Sequence, residues 1–173
     1  MGKIFYANKS DFTTEAALKK IFSAYYGKAN ITILRAKNGK PYVENGPHFS
    51  VTHTQNRLYL AFSDEEIGLD AEHLLRTSNY APIVKKFAPM EQAEITSAKD
   101  FLTHWVVKES AVKYMGGTLT FDLKHLDYTN ACLTYRQKIF PAKVTLLQHE
   151  GFILCVCGRE DFKDAVFIPL NTL

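Results

Sequence analysis

Apolar residues along the chain follow two rhythms. Between Thr14 and Tyr26 they recur at Leu18, Ile21, Phe22 and Tyr25, the three- and four-residue steps of one helix face. Asp11, Thr13 and Thr14 supply N-cap side chains for that helix and Gly27 a stop. A longer helix is predicted over Asp100–Met115, with Phe101, Leu102, Trp105, Val106, Val112 and Met115 as its core-facing stripe and Gly116-Gly117 as its end. Ser78–Phe87, with Pro82 near its first turn, and the segment "APMEQAEI" read as shorter helices. The second rhythm is short and extended: Lys3–Ala7, Ile31–Ala36, Phe49–Thr52, Arg57–Phe62 and Ile67–Ala71 read as strands. Beyond Gly117, "LDYTNACLTYR", "AKVTLLQ", "GFILCVCG" and "AVFIPL" read as further strands joined by polar turns, and "NGKPY" reads as a turn.

Helix, strands, helix, strands is an α+β order, and no Pro/Gly/Ser linker divides it. A faint repeat runs through it. "VTHTQNRLYLAFS" from Val51 and "VTLLQHEGFILCVCG" from Val144 share a Val-Thr start, a polar turn and an apolar strand, and a helix precedes each. A duplicated α+β unit accounts for the echo, with chance similarity of two short segments as the alternative.

Bulk composition narrows the classes. A chain of 173 residues suffices for one domain or for two small halves around a shared core. A hydrophobic fraction of 46% excludes a disordered polymer. No apolar run reaches the roughly 18 residues of a membrane span, and "MGKIFYANKS" lacks the apolar core of a secretory signal. A net charge of +3 without a dense Lys/Arg run permits an anionic partner but does not demand nucleic acid. Three cysteines, an odd number, argue against a disulfide framework. Cys155 and Cys157 read as small core hydrophobes rather than a metal pair. A reducing cytoplasm is the expected compartment.

The chemistry concentrates in two segments. In "IGLDAE" (Ile67–Glu72) an apolar strand ends with Asp70 and Glu72 on one face, where like charges repel unless a cation intervenes. In the long helix Glu109 and Lys113 share a face, with Lys108 one helical step of about 100° from Glu109. Three carboxylates flanked by lysines suit a hard cation such as Mg²⁺, which takes oxygen ligands and adds substrate phosphates. Neutralisation of Asp70 and Glu72 by Arg76 or Lys113 is the structural alternative, and a solvated Glu109–Lys113 surface pair is the plain reading of the helix. His53, between Thr52 and Thr54, reads as a satisfied polar residue or a phosphate clamp. Lys40, held beside Pro41, reads as part of a loop.

Taken in order, "GKPY" (Gly39–Tyr42), "FSVTHT" (Phe49–Thr54), "IGLDAE", "FAPMEQAEI" (Phe87–Ile95) and "WVVKESAVKYMGGTL" (Trp105–Leu119) resemble the motif series of the 4′-phosphopantetheinyl transferases, in their single-chain, two-half branch. The resemblance implies an α+β pseudo-dimer of two similar halves, here a shortened 1–75 and 76–173, with the active site in the cleft between them. It implies transfer of the 4′-phosphopantetheine arm of coenzyme A to a serine of an apo acyl or peptidyl carrier protein, with release of adenosine 3′,5′-bisphosphate. By position, Asp70, Glu72 and Glu109 would hold Mg²⁺ or Mn²⁺. Lys108 and Lys113 would meet the phosphates, Thr52 and His53 the 3′-phosphate side, and Lys40 with Pro41 the nucleotide end. Glu109, Lys113 and Lys108 would be the catalytic set, and Glu91 a supporting acid. The expected state is a cytoplasmic monomer that binds neither nucleic acid nor membrane.

One departure stands out. Between the first strand and first helix, where that branch carries a basic segment toward coenzyme A, this chain has only "NKSDFT". Lys9, Lys19, Lys20 and Lys28 are the candidates to replace it. A degenerate homologue that binds coenzyme A or a carrier protein without turnover is the alternative reading, and an unrelated Mg²⁺-dependent phosphohydrolase is a third.

Overall fold

The computed structural model describes residues 2–173. Its first part runs β1 (Lys3–Asn8), α1 (Thr14–Tyr26), β2 (Ile33–Arg35), β3 (Pro41–Val43), β4 (His48–Thr54), β5 (Arg57–Ser63) and β6 (Ile67–His73). Then follow α2 (Ala81–Val84), α3 (Pro89–Glu94), α4 (Ala98–Met115) and α5 (Leu119–Asp122), with a 3₁₀ turn at Leu123–His125. The chain continues through β7 (Leu126–Thr129), β8 (Cys132–Tyr135), β9 (Lys138–Ile139), β10 (Lys143–His149), β11 (Phe152–Gly158) and β12 (Val166–Pro169) to a 3₁₀ turn at Leu170–Thr172.

The α+β reading holds, and its two main helices lie where the sequence puts them. Thr13 caps α1, its Oγ1 accepting from the Ala16 amide at 3.1 Å, and Gly27 closes it at a φ of 63° that a side chain would strain. Ser97 and Asp100 cap α4 reciprocally, and Gly116 ends it in the same left-handed conformation.

Two sheets lie between these helices. One has the order β12-β1-β5-β4, antiparallel except for the β1–β12 pair, and the other the order β10-β11-β6, antiparallel throughout. Strand β5 is buried on both faces: Leu58, Leu60 and Phe62 pack under α1 with Phe5 and Phe22, whereas Tyr59 and Ala61 turn toward Ile67, Leu69 and Ala71 of β6. That alternation is the two-residue period of a strand. A third apolar cluster lies beneath α4, around Phe101, Leu102, Val106 and Val107. Layers thus follow the order α1, sheet, sheet, α4. Strand β6 pairs with β11, and β12 pairs with β1, so each sheet draws a strand from the far part of the chain.

Two local expectations change. "NGKPY" is more than a turn, because Pro41–Val43 forms a strand against Ile33–Arg35. Ser78–Phe87 is helical only over Ala81–Val84, since that turn has no side-chain cap and none of its residues is buried. Between Gly117 and the strand segment that begins at Leu126, α5 and a 3₁₀ turn intervene, which the sequence reading leaves unassigned. The hairpins β4–β5 and β10–β11 contain the two echoed segments, but their turns at Gln55-Asn56 and Glu150-Gly151 sit two residues out of step with the Val-Thr starts. Cys155 and Cys157 are buried in β11, Cys132 is exposed, and all three thiols are free.

Candidate active site

A close approach between α4 and β6 builds the site. A Cβ on Gly68 would overlap the Ser110 carbonyl oxygen and come within 2.5 Å of the Tyr114 amide nitrogen. Glycine is therefore what lets the helix lie directly on the strand. With Ile67, Leu69 and Ala71 committed to the inter-sheet core, Gly68, Asp70 and Glu72 take the opposite face, toward α4. Lys113, in the last turn of α4, donates to Asp70 Oδ1 at 2.7 Å and to the Leu69 carbonyl at 3.0 Å.

A ladder of hydroxyls from β4 holds the other side. Ser50, Thr52 and Thr54 face β6 at two-residue spacing. The Leu69 amide donates to Ser50 Oγ at 2.9 Å, Thr52 Oγ1 donates to Asp70 Oδ1 at 2.8 Å, and Thr54 Oγ1 donates to Glu72 Oε2 at 2.8 Å. Arg76 pairs with the second oxygen of Glu72. Both cations of the structural alternative are thus in use, Lys113 on Asp70 and Arg76 on Glu72.

Glu109 completes the group and is the acid left without an ion pair of its own among the described residues. Burial first, then the charge on Asp70 and, less, that on Glu72 push its carboxyl up to about 7, against the opposing charges of Lys113 and Arg76. Glu72 is also raised, chiefly by burial, against the Thr54 hydrogen bond and Arg76. Three carboxylates against two nearby cations leave an excess of negative charge where Asp70 and Glu72 are buried and Glu109 half-buried. Among the described residues no three His, Cys, Asp or Glu side chains converge as a ready ligand group. The donors nevertheless fit a hard divalent cation: all are carboxylate oxygens, and Glu109 carries the uncompensated charge such an ion would offset.

Lys108 does not join this group. It is wholly buried on another face of α4, donating to Glu91 and, at 2.7 Å, to the Leu126 carbonyl, with its ammonium 4.0 Å from the centre of the Phe87 ring. A side chain so enclosed cannot meet a phosphate in this arrangement. Glu91 is equally buried; it also accepts from the Ala88 amide at 3.3 Å and meets His104 Nδ1 at 3.3 Å. Burial raises Glu91, but hydrogen bonds from His104 and Lys108 outweigh it and hold the carboxyl below its ordinary value. This cluster ties α3, α4 and β7 together.

Two adjoining cavities open beside the acids. The larger, about 600 Å³, lies between the β2–β3 hairpin and the end of α4. The smaller, about 210 Å³, is lined by Ser50, Val51, Lys113, Gly116 and Gly117, and so reaches Lys113, the partner of Asp70. Lys40 and Pro41 line both. Lys40 is held at the rim by Glu66 Oε2 at 2.7 Å and the Ile67 carbonyl at 3.0 Å. Thr52 and His53 are not brought to one side, because neighbours on a strand face oppositely. Thr52 points at Asp70, whereas exposed His53 meets Thr14 Oγ1 at 2.9 Å. Burial lowers the His53 pKa, and so do the charges of Lys9 and Lys113. Lys19 is paired with Glu15, Lys20 lies over the Phe12 ring, and Lys28 donates to the Asn45 carbonyl at the edge of the larger cavity.

A family model described as the 4′-phosphopantetheinyl transferase superfamily matches residues 66–157. The chain belongs to that superfamily. The matched span runs from β6 to β11 and contains Asp70, Glu72, Glu109 and Lys113; Lys40, Thr52 and His53 lie before it. Among curated relatives, the 4′-phosphopantetheinyl transferase gsp of Aneurinibacillus migulanus is 26% identical over 111 residues, 59% of this chain and 46% of the relative. The chain spans about half the length of that relative. Within this superfamily member, sequence reasoning missed the roles of Gly68, Ser50 and Thr54. The Ser-x-Thr-x-Thr spacing of β4, matching the Leu-Asp-x-Glu of β6, was a signal for the last two.

Proposed function

We propose that this chain transfers the 4′-phosphopantetheine arm of coenzyme A to a serine of an apo acyl or peptidyl carrier protein. The observation that carries the reading is the under-compensated Asp70–Glu72–Glu109 group, set beside a cavity rimmed by Lys40 and Lys113. The serine oxygen attacks the phosphorus that bears the pantetheine arm, the bond to the bridging pyrophosphate oxygen breaks, and adenosine 3′,5′-bisphosphate leaves. Such a transfer needs placement and charge neutralisation more than covalent help. Mg²⁺ or Mn²⁺ held by Asp70, Glu72 and Glu109 would supply Lewis-acid polarisation of the phosphates. Lys113 offers a fixed positive charge at the mouth of the smaller cavity. Glu109 is the residue assigned to take the serine proton as the bond forms, directly or through water. Lys40, Pro41, His53 and Lys9 are assigned to the nucleotide and its phosphates.

The same reading divides the chain into halves at about residue 75. Helix, small hairpin, long hairpin and crossing strand follow one another twice, as α1, β2–β3, β4–β5, β6 and as α4, β7–β9, β10–β11, β12. This order supports a pseudo-dimer with its cleft where β4 meets β6. A single chain then supplies both walls, which favours a monomer, in the cytoplasm where coenzyme A and carrier proteins meet.

A second reading has one observation behind it. Asp70 and Glu72 are already neutralised by Lys113 and Arg76, as a protein that binds coenzyme A without turnover would allow. Intact-protein mass spectrometry separates the two. Apo carrier proteins incubated with coenzyme A, Mg²⁺ and this protein should gain one phosphopantetheine. Glu109→Ala or a chelator should abolish the gain. No gain on any carrier, with coenzyme A still bound, would establish the binding protein instead.

A further inference from the structure

Lys40 stands where the two cavities of the candidate site adjoin, and among the described residues it is the one cation that lines both. The charge around it changes from one cavity to the other. The smaller is lined by Lys40 and Lys113 and, among the described residues, by no acid. The larger is lined by Lys40 against two acids, Glu44 and Glu66. Glu66 holds the Lys40 ammonium on Oε2 at 2.7 Å, while its Oε1 lies 3.2 Å from His48 Nδ1. The neighbouring cations do not redress this balance. Lys28 is turned to the Asn45 carbonyl, and Arg35 donates to the Gly39 carbonyl at 3.0 Å.

Glu66 is not needed to place Lys40. Asn38 stitches the β2–β3 turn to the end of α4. Its Nδ2 donates to the Gly116 carbonyl at 2.5 Å, and its Oδ1 accepts from the Lys40 amide at 3.0 Å. The Lys40 ammonium also donates to the Ile67 carbonyl at 3.0 Å. Neutral groups thus fix both the backbone and the ammonium of Lys40, and what Glu66 adds is a negative charge. Its side chain is 52% exposed and that of Lys40 20%. Such a carboxylate occupies the place on the lysine that an incoming phosphate would take.

The geometry points to Glu66 as a specificity-determining residue that weakens recognition of a phosphate on the donor's ribose. The assignment rests on the transferase reading given above. There the pyrophosphate meets Lys113 in the smaller cavity and the base enters the larger, so the ribose between them lies at Lys40. A 3′-phosphate on that ribose competes with Glu66 for the ammonium and faces a cavity with more acid than cation. The chain therefore accepts a donor without that phosphate, 3′-dephospho-coenzyme A, nearly as well as coenzyme A. The serine oxygen attacks the same phosphorus and its proton passes to Glu109. The same bond to the bridging oxygen breaks, and adenosine 5′-monophosphate leaves in place of adenosine 3′,5′-bisphosphate.

The test compares kcat/KM for the two donors with one apo carrier, in wild type and in Glu66→Gln. A lysine free to meet the phosphate would favour coenzyme A by about tenfold or more, as hydrogen bonds between charged groups do. Wild type should show a preference below about tenfold. Glu66→Gln keeps the length of the side chain and removes its charge. It should raise the preference about two- to fivefold, through KM for coenzyme A with kcat kept. Glu65→Gln, the same change one residue away on a side chain paired with Arg159, should leave the preference unaltered. A wild-type preference of about tenfold or more would overturn the assignment. So would a preference that Glu66→Gln leaves the same or lowers, a fall being the mark of an acid that positions Lys40. If wild type modifies no carrier, the transferase reading fails, and calorimetry with adenosine 3′,5′-bisphosphate and adenosine 5′-monophosphate judges Glu66 alone. A wild-type preference below about tenfold that Glu66→Gln raises would uphold the assignment. Equal preference in the two proteins, or no binding of either nucleotide, would overturn it.

Discussion

Lys108 and Glu109 are neighbours on one helix and live in opposite electrostatic worlds. Lys108 enters a closed cluster with Glu91 and His104, where every polar atom finds a partner and solvent is excluded. Glu109 enters an open one, where Asp70 and Glu72 already occupy Lys113 and Arg76 and a third negative charge goes uncompensated. Both are carboxylate–ammonium assemblies on α4. The difference teaches that charge balance and access, rather than residue type, separate an assembly that fixes helix placement from one suited to bind and react.

The largest effect tests the open cluster. Glu109→Ala and Asp70→Ala should each slow transfer by about 10²–10³-fold while far-ultraviolet circular dichroism shows the fold kept. Wild-type rates in either variant would erase the distinction. The closed cluster should answer in stability: Lys108→Ala or Glu91→Ala strands a buried charge and should cost about 3–5 kcal/mol, read from the urea midpoint. A Lys108→Met variant that folds fully yet transfers nothing would return Lys108 to the substrate side, where the sequence motif puts it.

A smaller effect sharpens the comparison through pH. Glu109 is raised from 4.5 to about 7 in the folded state. Between those values the unfolded chain binds fewer protons than the folded one. Stability of the metal-free protein should therefore fall as pH rises through this window, by at most about 3 kcal/mol at roughly 1.36 kcal/mol per pKa unit. Glu109→Gln should flatten that slope, which urea midpoints at pH 5 and pH 8 in a chelator would show. An undiminished slope in the variant would place the uncompensated charge elsewhere. The smallest expected change concerns the contact that brings the open cluster together. Gly68→Ala should cost about 1–3 kcal/mol by overpacking against Ser110, and should lower transfer by more than the unfolded fraction explains. Wild-type melting and transfer would mean that α4 need not lie so close to β6.

Much of this molecule could be read from its residues. The bounds of α1 and the end of α4 follow from caps, stripes and glycines that act within one helical turn. The pairing of Asp70 and Glu72 on one face follows from the strand period. The β2–β3 pairing and the short α5 were not legible, because the first depends on a partner strand and the second on Asp122 reaching Tyr135. The family resemblance assigns Thr52 and His53 to one side, although the same period that pairs Asp70 with Glu72 sets them on opposite faces.

The sequence by itself determined the local elements, the family through its ordered motifs, and the placing of Asp70 and Glu72 on one strand face. Tertiary structure alone decided which helix lysine faces those acids. A helical step of about 100° separates Lys108 from Glu109, but the burial of Lys108 requires Glu91, seventeen residues away, to satisfy its charge. The place of Lys113 requires β6 to pass directly beneath α4 at Gly68. Hydrophobic periodicity and capping act between residues close along the chain, whereas the balance of buried charge is settled between residues brought together only by folding.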